Sequence, residues 1–242
     1  MQRIRPLFVS TYPPEVCGLA TYTKELVDAV DFAAGAAVSS LAVIQKTDAH
    51  DYADRRVVHS INNARPNAYR VAAEFANEGT CNVVSLQHAF GLYPDAWGGR
   101  VLDFARNCHK PIITTLHTLM AEPGAQPRRI IQTLASLSQG IVVMTEAAEQ
   151  LLASAYHVAG PRVQVIPHGE PAEPFKRDDG HKKPRLGLSE GPMCWKNVGR
   201  KYLEFFCRAA RAEDSSLDPL YQGGFIKASG KRRPEAVLQG GG

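Results

Sequence analysis

The sequence lacks the long apolar runs that a membrane-spanning helix needs. No segment approaches the roughly 20 consecutive apolar residues required to cross a bilayer. The first six residues, MQRIRP, also have neither the apolar core nor the small-residue cleavage site of a secretory signal peptide. We therefore expect a soluble, cytoplasmic protein with at most a peripheral contact with a membrane.

Cysteine is also scarce, and its spacing does not suggest pairing. The chain has five cysteines, an odd number, and none of them forms the CxxC pattern of a zinc or redox site. These residues are Cys17, Cys81, Cys108, Cys194 and Cys207. We expect free thiols in a reducing compartment, and we expect no metal cofactor.

Neither charge nor overall composition points to an unusual class of protein. Apolar residues make up 44% of the 242 positions and charged residues 21%, which excludes collagen, wholesale disorder and a disulfide-rich mini-protein. The net charge of +4 is concentrated in residues 176–211, which carry +6, whereas residues 1–175 carry −2. A nucleic-acid-binding fold usually has a basic face, so we expect no nucleic-acid partner. The basic segment suits phosphate, lipid headgroups or another chain.

Apolar runs and helical spacings alternate along the first 169 residues. The apolar runs predict strands at 4–9, 36–44, 57–61, 83–86, 112–116, 141–144 and 163–166, with helices between most of them. This alternation predicts an α/β fold, a Rossmann-like doubly wound parallel sheet covered by helices on both faces. In such sheets ligands bind at the carboxyl ends of the strands, so the loops after the strands are the candidate site.

The pattern changes after residue 169. Residues 170–192 are rich in proline and charge and predict a linker. Residues 193–211 predict an amphipathic helix, with Trp195, Val198, Tyr202 and Phe205 on one face. We expect residues 212–242 to be a disordered tail.

Polar residues and glycines follow several of the predicted strands. Gly18 lies between the first strand and its helix, where free backbone N–H groups suit an anion or a hydroxyl, although a plain strand-to-helix turn explains it equally well. His88, His117 and His168 each follow a strand, which predicts a polar cleft for hydroxyls and phosphates. They are too far apart in sequence for a zinc motif. Thr145 lines this cleft or only caps the next helix.

These loops together resemble the N-terminal half of retaining glycosyltransferases of the GT-B fold, family 4. The matching segments are STYPPEVCGLATYTKEL (10–26), VVSLQHAFG (83–91), KPIITTLHT (110–118), IVVMTEAAEQLL (141–152) and VQVIPHG (163–169). The resemblance implies two Rossmann-like domains that face each other across a cleft. The N-terminal domain would hold the acceptor and the C-terminal domain the nucleotide-sugar donor.

The resemblance also implies roles for individual residues. His117 matches the strand-end histidine near the donor sugar and is the candidate catalytic residue. The candidate substrate-binding residues are Gly18 and Leu19 in the glycine loop, His88, Thr145 and Glu146 along the cleft, and His168 and Gly169 at the hinge into the second domain.

The sequence departs from this family after Gly169. The donor domain of the family carries an Arg/Lys pair for the diphosphate and a Glu-x7-Glu motif, and neither is found here. Residues 185–188 resemble the beginning of that domain, and residues 191–206 resemble its closing helix, which packs back on the N-terminal domain. The alternative is that 192–206 form an unrelated amphipathic helix.

These observations leave two functions open. The first is hexosyl transfer from a nucleotide sugar to an acceptor by a chain that is incomplete because its donor-binding domain is absent. The second is a non-catalytic module that binds a sugar or an acceptor and docks to a partner chain. The expected partners are a nucleotide sugar, a glycan or lipid-linked acceptor, and a second copy or a donor-domain protein. A Rossmann-like enzyme unrelated to sugar transfer is disfavoured because the GxGxxG dinucleotide fingerprint is absent.

Overall fold

One parallel sheet forms the centre of the part of the chain that the computed structural model describes, which is residues 3–46, 50–170 and 193–214. Its strands run in the order β3-β2-β1-β4-β5-β6-β7. They are β1 (Pro6–Ser10), β2 (Ser40–Gln45), β3 (Val57–Asn62), β4 (Val83–His88), β5 (Ile112–Leu116), β6 (Gly140–Val143) and β7 (Val163–Val165). All six neighbouring pairs are parallel, so the predicted Rossmann-like α/β fold is confirmed.

Helices cover both faces of this sheet. They are α1 (Gly18–Ala34), α2 (Ala68–Glu78), α3 (Val101–Asn107), α4 (Ala125–Leu137), α5 (Glu146–Tyr156) and α6 (Trp195–Asp214), with a short 3-10 turn at Ala96–Gly98. None of the helices in the described ranges is long and apolar enough to cross a membrane.

The central strand β1 shows why the inner strands β1, β4, β5 and β6 are buried along their whole length. The side chain of Phe8 packs into the layer that contains α1 and α6, whereas Leu7 and Val9 pack into the layer that contains α2 and α3. Because successive side chains of a strand point to opposite faces, both faces need apolar residues when helices cover both.

The second strand starts later than the apolar run predicts. The prediction placed it at 36–44, but β2 begins at Ser40. Helix α1 ends at Ala34. Its C-cap residue, Gly35, adopts the left-handed conformation (φ 66°), and the Gly35 N–H bonds back to the carbonyls of Asp31 and Phe32. Residues 36–39 therefore connect the helix to the strand, since a helix that ends this way needs a short turn before the chain can extend.

The C-terminal helix α6 packs back on α1 and on the sheet, as predicted. Trp195, Val198, Tyr202 and Phe205 are all buried in the core that α6 shares with α1. A Cβ atom built on Gly199 would lie 2.3 Å from the carbonyl oxygen of Ala29, so the two backbones cross in close contact.

The observed limits of α6 differ slightly from the predicted segment 193–211. The helix begins at Trp195 and ends at Asp214. Of the segments predicted as a linker and a tail, residues 171–192 and 215–242 lie outside the described residues.

The two ends of the undescribed segment 171–192 lie side by side. Glu170 and Cys194 form an isolated parallel bridge, and the Glu170 N–H donates to the carbonyl oxygen of Met193 at 2.8 Å. The chain therefore leaves the sheet and returns to it at one point, next to the start of α6.

Candidate functional site

The sheet topology marks one position for a ligand. From β1 the chain builds outward through β2 and β3, and then returns to place β4 on the other side of β1. In open parallel sheets the crevice beyond such a switch point, at the carboxyl ends of the strands, is the usual binding site. The connection that contains Gly18 follows β1, and His88 ends β4.

Gly18 begins helix α1 and leaves its first turn open. A Cβ atom built on Gly18 would meet no other atom within 4 Å. Cys17 is the N-cap residue, and its Sγ accepts a hydrogen bond from the Ala20 N–H at 3.4 Å. The first turn contains no acidic residue, so the positive end of the helix dipole is not neutralised there. The neighbouring Leu19 differs from Gly18, because its half-buried side chain packs against the core.

His88 lies at the expected end of β4, but its side chain is 0% exposed. The imidazole stacks on the ring of Tyr93 at 6.0 Å and meets the edge of Phe90 at 5.4 Å. Neither ring nitrogen has a hydrogen-bond partner among the described residues. Burial lowers the pKa of His88 to about 4, so the ring is neutral at neutral pH.

His117 follows β5 directly and is held at three points. Its backbone N–H donates to the carbonyl oxygen of His88 at 2.9 Å, and its Nε2 lies 2.8 Å from Oε1 of Gln87. Its ring also meets the ring of Tyr22 edge-on at 4.8 Å. Burial, together with the nearby His168 and His88, lowers the pKa of His117 to about 3. This histidine is therefore a neutral hydrogen-bonding group, not a cation.

His168 and Gly169 lie beside the start of α6. The ring of His168 is 4.9 Å from the ring of Tyr22 and 5.5 Å from the ring of Trp195, and its Nδ1–H donates to the Gly169 carbonyl at 2.7 Å. A Cβ atom on Gly169 would lie 2.2 Å from Cδ2 of Trp195. Residue 169 must therefore be glycine for the tryptophan ring to pack in this position.

Thr145 and Glu146 lie after β6, where helix α5 begins. The Oγ1 atom of Thr145 accepts a hydrogen bond from the Ala148 N–H at 3.1 Å, so Thr145 acts as the N-cap. Glu146 is exposed in the first turn of α5. The strand order places these two residues one strand away from His117.

Sequence patterns did not assign a hydrogen-bonding role to three buried side chains at this edge, those of Tyr202, Thr115 and Gln87. The hydroxyl of Tyr202 lies 3.0 Å from the hydroxyl of Tyr22 and 3.1 Å from Oγ1 of Thr115, which links α6, α1 and β5. Gln87 contacts His117. Thr115 lies inside the predicted strand 112–116, and Gln87 directly follows the predicted strand 83–86. A buried polar side chain needs a hydrogen-bond partner, so this signal was present in the sequence.

The structure therefore brings some of the predicted residues together and leaves others apart. His117 and His168 both contact Tyr22, and the backbone of His88 contacts His117. Gly18, Thr145 and Glu146 lie on the same edge of the sheet at the starts of two helices. No cluster of three or more histidine, cysteine, aspartate or glutamate side chains within the described ranges is arranged to hold a metal ion.

Comparison with known proteins agrees with the family resemblance in the loops. The model of the family described as Glycosyltransferase Family 4 matches residues 17–172. None of the curated proteins matches the chain. Among solved structures, the chain is similar to one described as an alpha-glucosyltransferase in complex with UDP and a 13-mer DNA containing a central A:G mismatch, with 14% identity and a TM-score of 0.41. That similarity covers 59% of this chain and 37% of the other.

The matched residues 17–172 contain every loop of the candidate site, from Gly18 to Gly169, and make up more than half of the chain. The chain belongs to glycosyltransferase family 4.

Proposed function

We propose that this chain is the acceptor-side part of a retaining glycosyltransferase, which transfers a hexosyl group from a nucleotide sugar to a glycan or a lipid-linked acceptor. The observation that carries the proposal is the placement of the family's loops. They meet at one edge of the sheet, around the switch point, with the neutral His117 among them. This edge would bind the acceptor and one side of the donor sugar.

The chemistry of the edge suits uncharged hydroxyls and one anionic group. A neutral imidazole exchanges hydrogen bonds with a hydroxyl but does not neutralise a phosphate, so His117 suits a sugar hydroxyl. The open first turn of α1 offers backbone N–H groups and the positive end of a helix dipole, which suit an anion or a hydroxyl. Gly18 is the residue that keeps this approach unobstructed.

Glycosyl transfer also needs a cation beside the departing diphosphate. Preorganised positive groups supply much of the stabilisation when charge develops on a leaving group. The Arg/Lys pair and the Glu-x7-Glu motif that mark the family's donor domain are not found after Gly169. We therefore infer that a second protein, or a second domain, supplies the donor side of the site.

The surface at this edge supports docking of such a nucleotide-sugar-binding partner. The side chain of Val16, in the connection after β1, is 98% exposed, and Trp97, in the connection after β4, is also exposed. Met193, which pairs with Glu170 just after β7, is a third exposed apolar residue. Each of these three residues lies in a connection that follows a strand, and exposed apolar side chains favour contact with another protein. The same surface would serve the alternative function, a non-catalytic binding module.

Binding measurements on the full chain test this proposal. Calorimetry with a panel of UDP- and GDP-hexoses should show no micromolar binding, because the Arg/Lys pair and the Glu-x7-Glu motif of the family's donor domain are not found in this sequence. NMR titration with a glycan panel should shift the signals of His117, and the variant His117→Ala should lose glycan binding. The matched control His109→Ala, on the exposed surface, should keep it.

The possible outcomes separate the parts of the proposal. Micromolar binding of a nucleotide sugar would show a donor site in this chain and would contradict its incompleteness. If neither glycans nor nucleotide sugars affect His117, the role in sugar transfer is wrong.

A further inference from the structure

Gln87 is a fully buried polar residue of β4 that contacts the candidate catalytic histidine. Its Oε1 lies 2.8 Å from Nε2 of His117, and its amide nitrogen donates to Oγ of Ser85 at 3.0 Å. Gln87 and Ser85 are both 0% exposed. In this orientation the amide nitrogen of Gln87 faces the Ser85 hydroxyl, and its carbonyl oxygen faces His117.

This orientation decides which nitrogen of His117 carries the proton. The carbonyl end of an amide only accepts hydrogen bonds, and a neutral imidazole has one N–H donor and one acceptor nitrogen. With the amide nitrogen of Gln87 turned towards Ser85, the carbonyl oxygen faces His117. Nε2 must then carry the proton, and Nδ1 is left as the acceptor.

The remaining contacts of His117 keep its ring in place. The backbone of His117 bonds to His88, and the ring of Tyr22 stands almost perpendicular to the imidazole, with 84° between the planes. Tyr22 is in turn held by the hydroxyl of Tyr202. Rotation of the imidazole would break both the bond to Gln87 and the contact with Tyr22.

We propose that Gln87 is a positioning residue that fixes His117 as the Nε2–H tautomer and leaves Nδ1 as a hydrogen-bond acceptor. The group that Nδ1 accepts from must carry a proton. A hydroxyl fulfils this condition, whereas a fully ionised phosphate oxygen does not. Identifying that hydroxyl as part of a hexose rests on the proposed function, but the tautomer itself does not.

The tautomer is measured directly on the full-length chain without substrate. Long-range ¹H–¹⁵N correlation spectra distinguish the two neutral tautomers, and His117→Ala assigns the signals. We expect the Nε2–H pattern for the wild-type protein at neutral pH, with the Nε2 proton protected from exchange with water. A spectrum with the Nδ1–H pattern would overturn the proposal.

Two variants of Gln87 test its role in opposite directions. Gln87→Leu removes the acceptor, so the Nε2 proton should lose its protection. Gln87→Glu keeps an acceptor and adds a negative charge, so the Nε2–H should be retained and the pKa of His117 should rise by about 1–3. The titratable rings that face His117 are those of Tyr22, His88 and His168. The two Gln87 variants leave all three of these residues in place. The matched control Gln126→Leu, on the exposed start of α4, should leave the His117 signals unchanged.

These outcomes remain informative if one variant folds poorly. Equal protection of the Nε2 proton in Gln87→Leu would contradict the proposal. If that variant does not fold, the wild-type spectrum and the Gln87→Glu variant decide the question. If the wild-type chain shows the Nε2–H tautomer but binds no glycan, the proposed function is contradicted, whereas the role of Gln87 is not.

Discussion

Replacing Gly199 with alanine tests the close crossing of α6 over α1. A Cβ atom at this position would lie 2.3 Å from the carbonyl oxygen and 2.4 Å from the carbonyl carbon of Ala29. These are backbone atoms in the middle of a helix, so they cannot move aside as a flexible side chain can. To reach ordinary van der Waals contact, the two helices must separate by about 1 Å.

Two opposing terms set the size of the effect. Alanine is favoured over glycine inside a helix by about 1 kcal/mol, which stabilises the variant. Overpacking of a well-packed contact costs about 1–3 kcal/mol and occasionally more. The clash involves backbone, so we expect the cost to lie at the upper end and the free energy of unfolding to fall by about 1–2 kcal/mol in total.

Urea denaturation and thermal unfolding measure this change. For a domain of this size, 1 kcal/mol corresponds to about 2–4 °C in Tm. The matched control Gly18→Ala adds the same methyl group to a helix where it meets no other atom within 4 Å, so it should leave the stability unchanged or raise it. If Gly199→Ala is as stable as Gly18→Ala, the two helices do not cross as closely as described.

Two further predictions concern the buried hydroxyl of Tyr202 and the ion pair between Arg56 and Asp54. Tyr202→Phe leaves the buried hydroxyls of Tyr22 and Thr115 without their shared partner and should lower the free energy of unfolding by about 1–3 kcal/mol, and an unchanged urea midpoint would contradict this role. Arg56 holds the pKa of Asp54 well below its usual range, so the stabilisation that Asp54 provides is present above about pH 4 and is lost as the pH falls below it. The urea midpoint should fall less steeply below pH 4 in Arg56→Gln than in the wild type, and equal slopes would refute the pairing.

The sheet could be predicted from sequence because the residues that favour a strand are also the apolar residues that a sheet covered on both faces needs. A run such as residues 141–144 is apolar at every position, as a strand covered on both faces requires. The start of β2 could not be predicted from hydrophobicity, since it depends on the left-handed cap at Gly35. Periodicity also placed Tyr202 on the buried face of α6, as the structure confirms.

The candidate site was predictable in position but not in detail. The three strand-end histidines lie on the expected edge, yet His88 is buried, His117 is half-buried and His168 is exposed. These differences depend on rings that the loops bring in, such as Phe90 and Tyr93 against His88. The link between Tyr22 and Tyr202 joins residues 180 positions apart, which no local pattern indicates.

The adjacency of Glu170 and Cys194 has a consequence for the entropy of the chain. For a flexible connection between two fixed ends, each doubling of its length costs only about 0.6 kcal/mol. Lengthening a flexible connection between these two points eightfold would therefore cost about 2 kcal/mol in loop closure, and less if the added segment folds with its own ends close together. The docking of α6 on α1 is thus thermodynamically almost independent of what the chain carries between these two residues. The bridge is a position at which a whole domain could be gained or lost while the sheet and its closing helix stay unchanged.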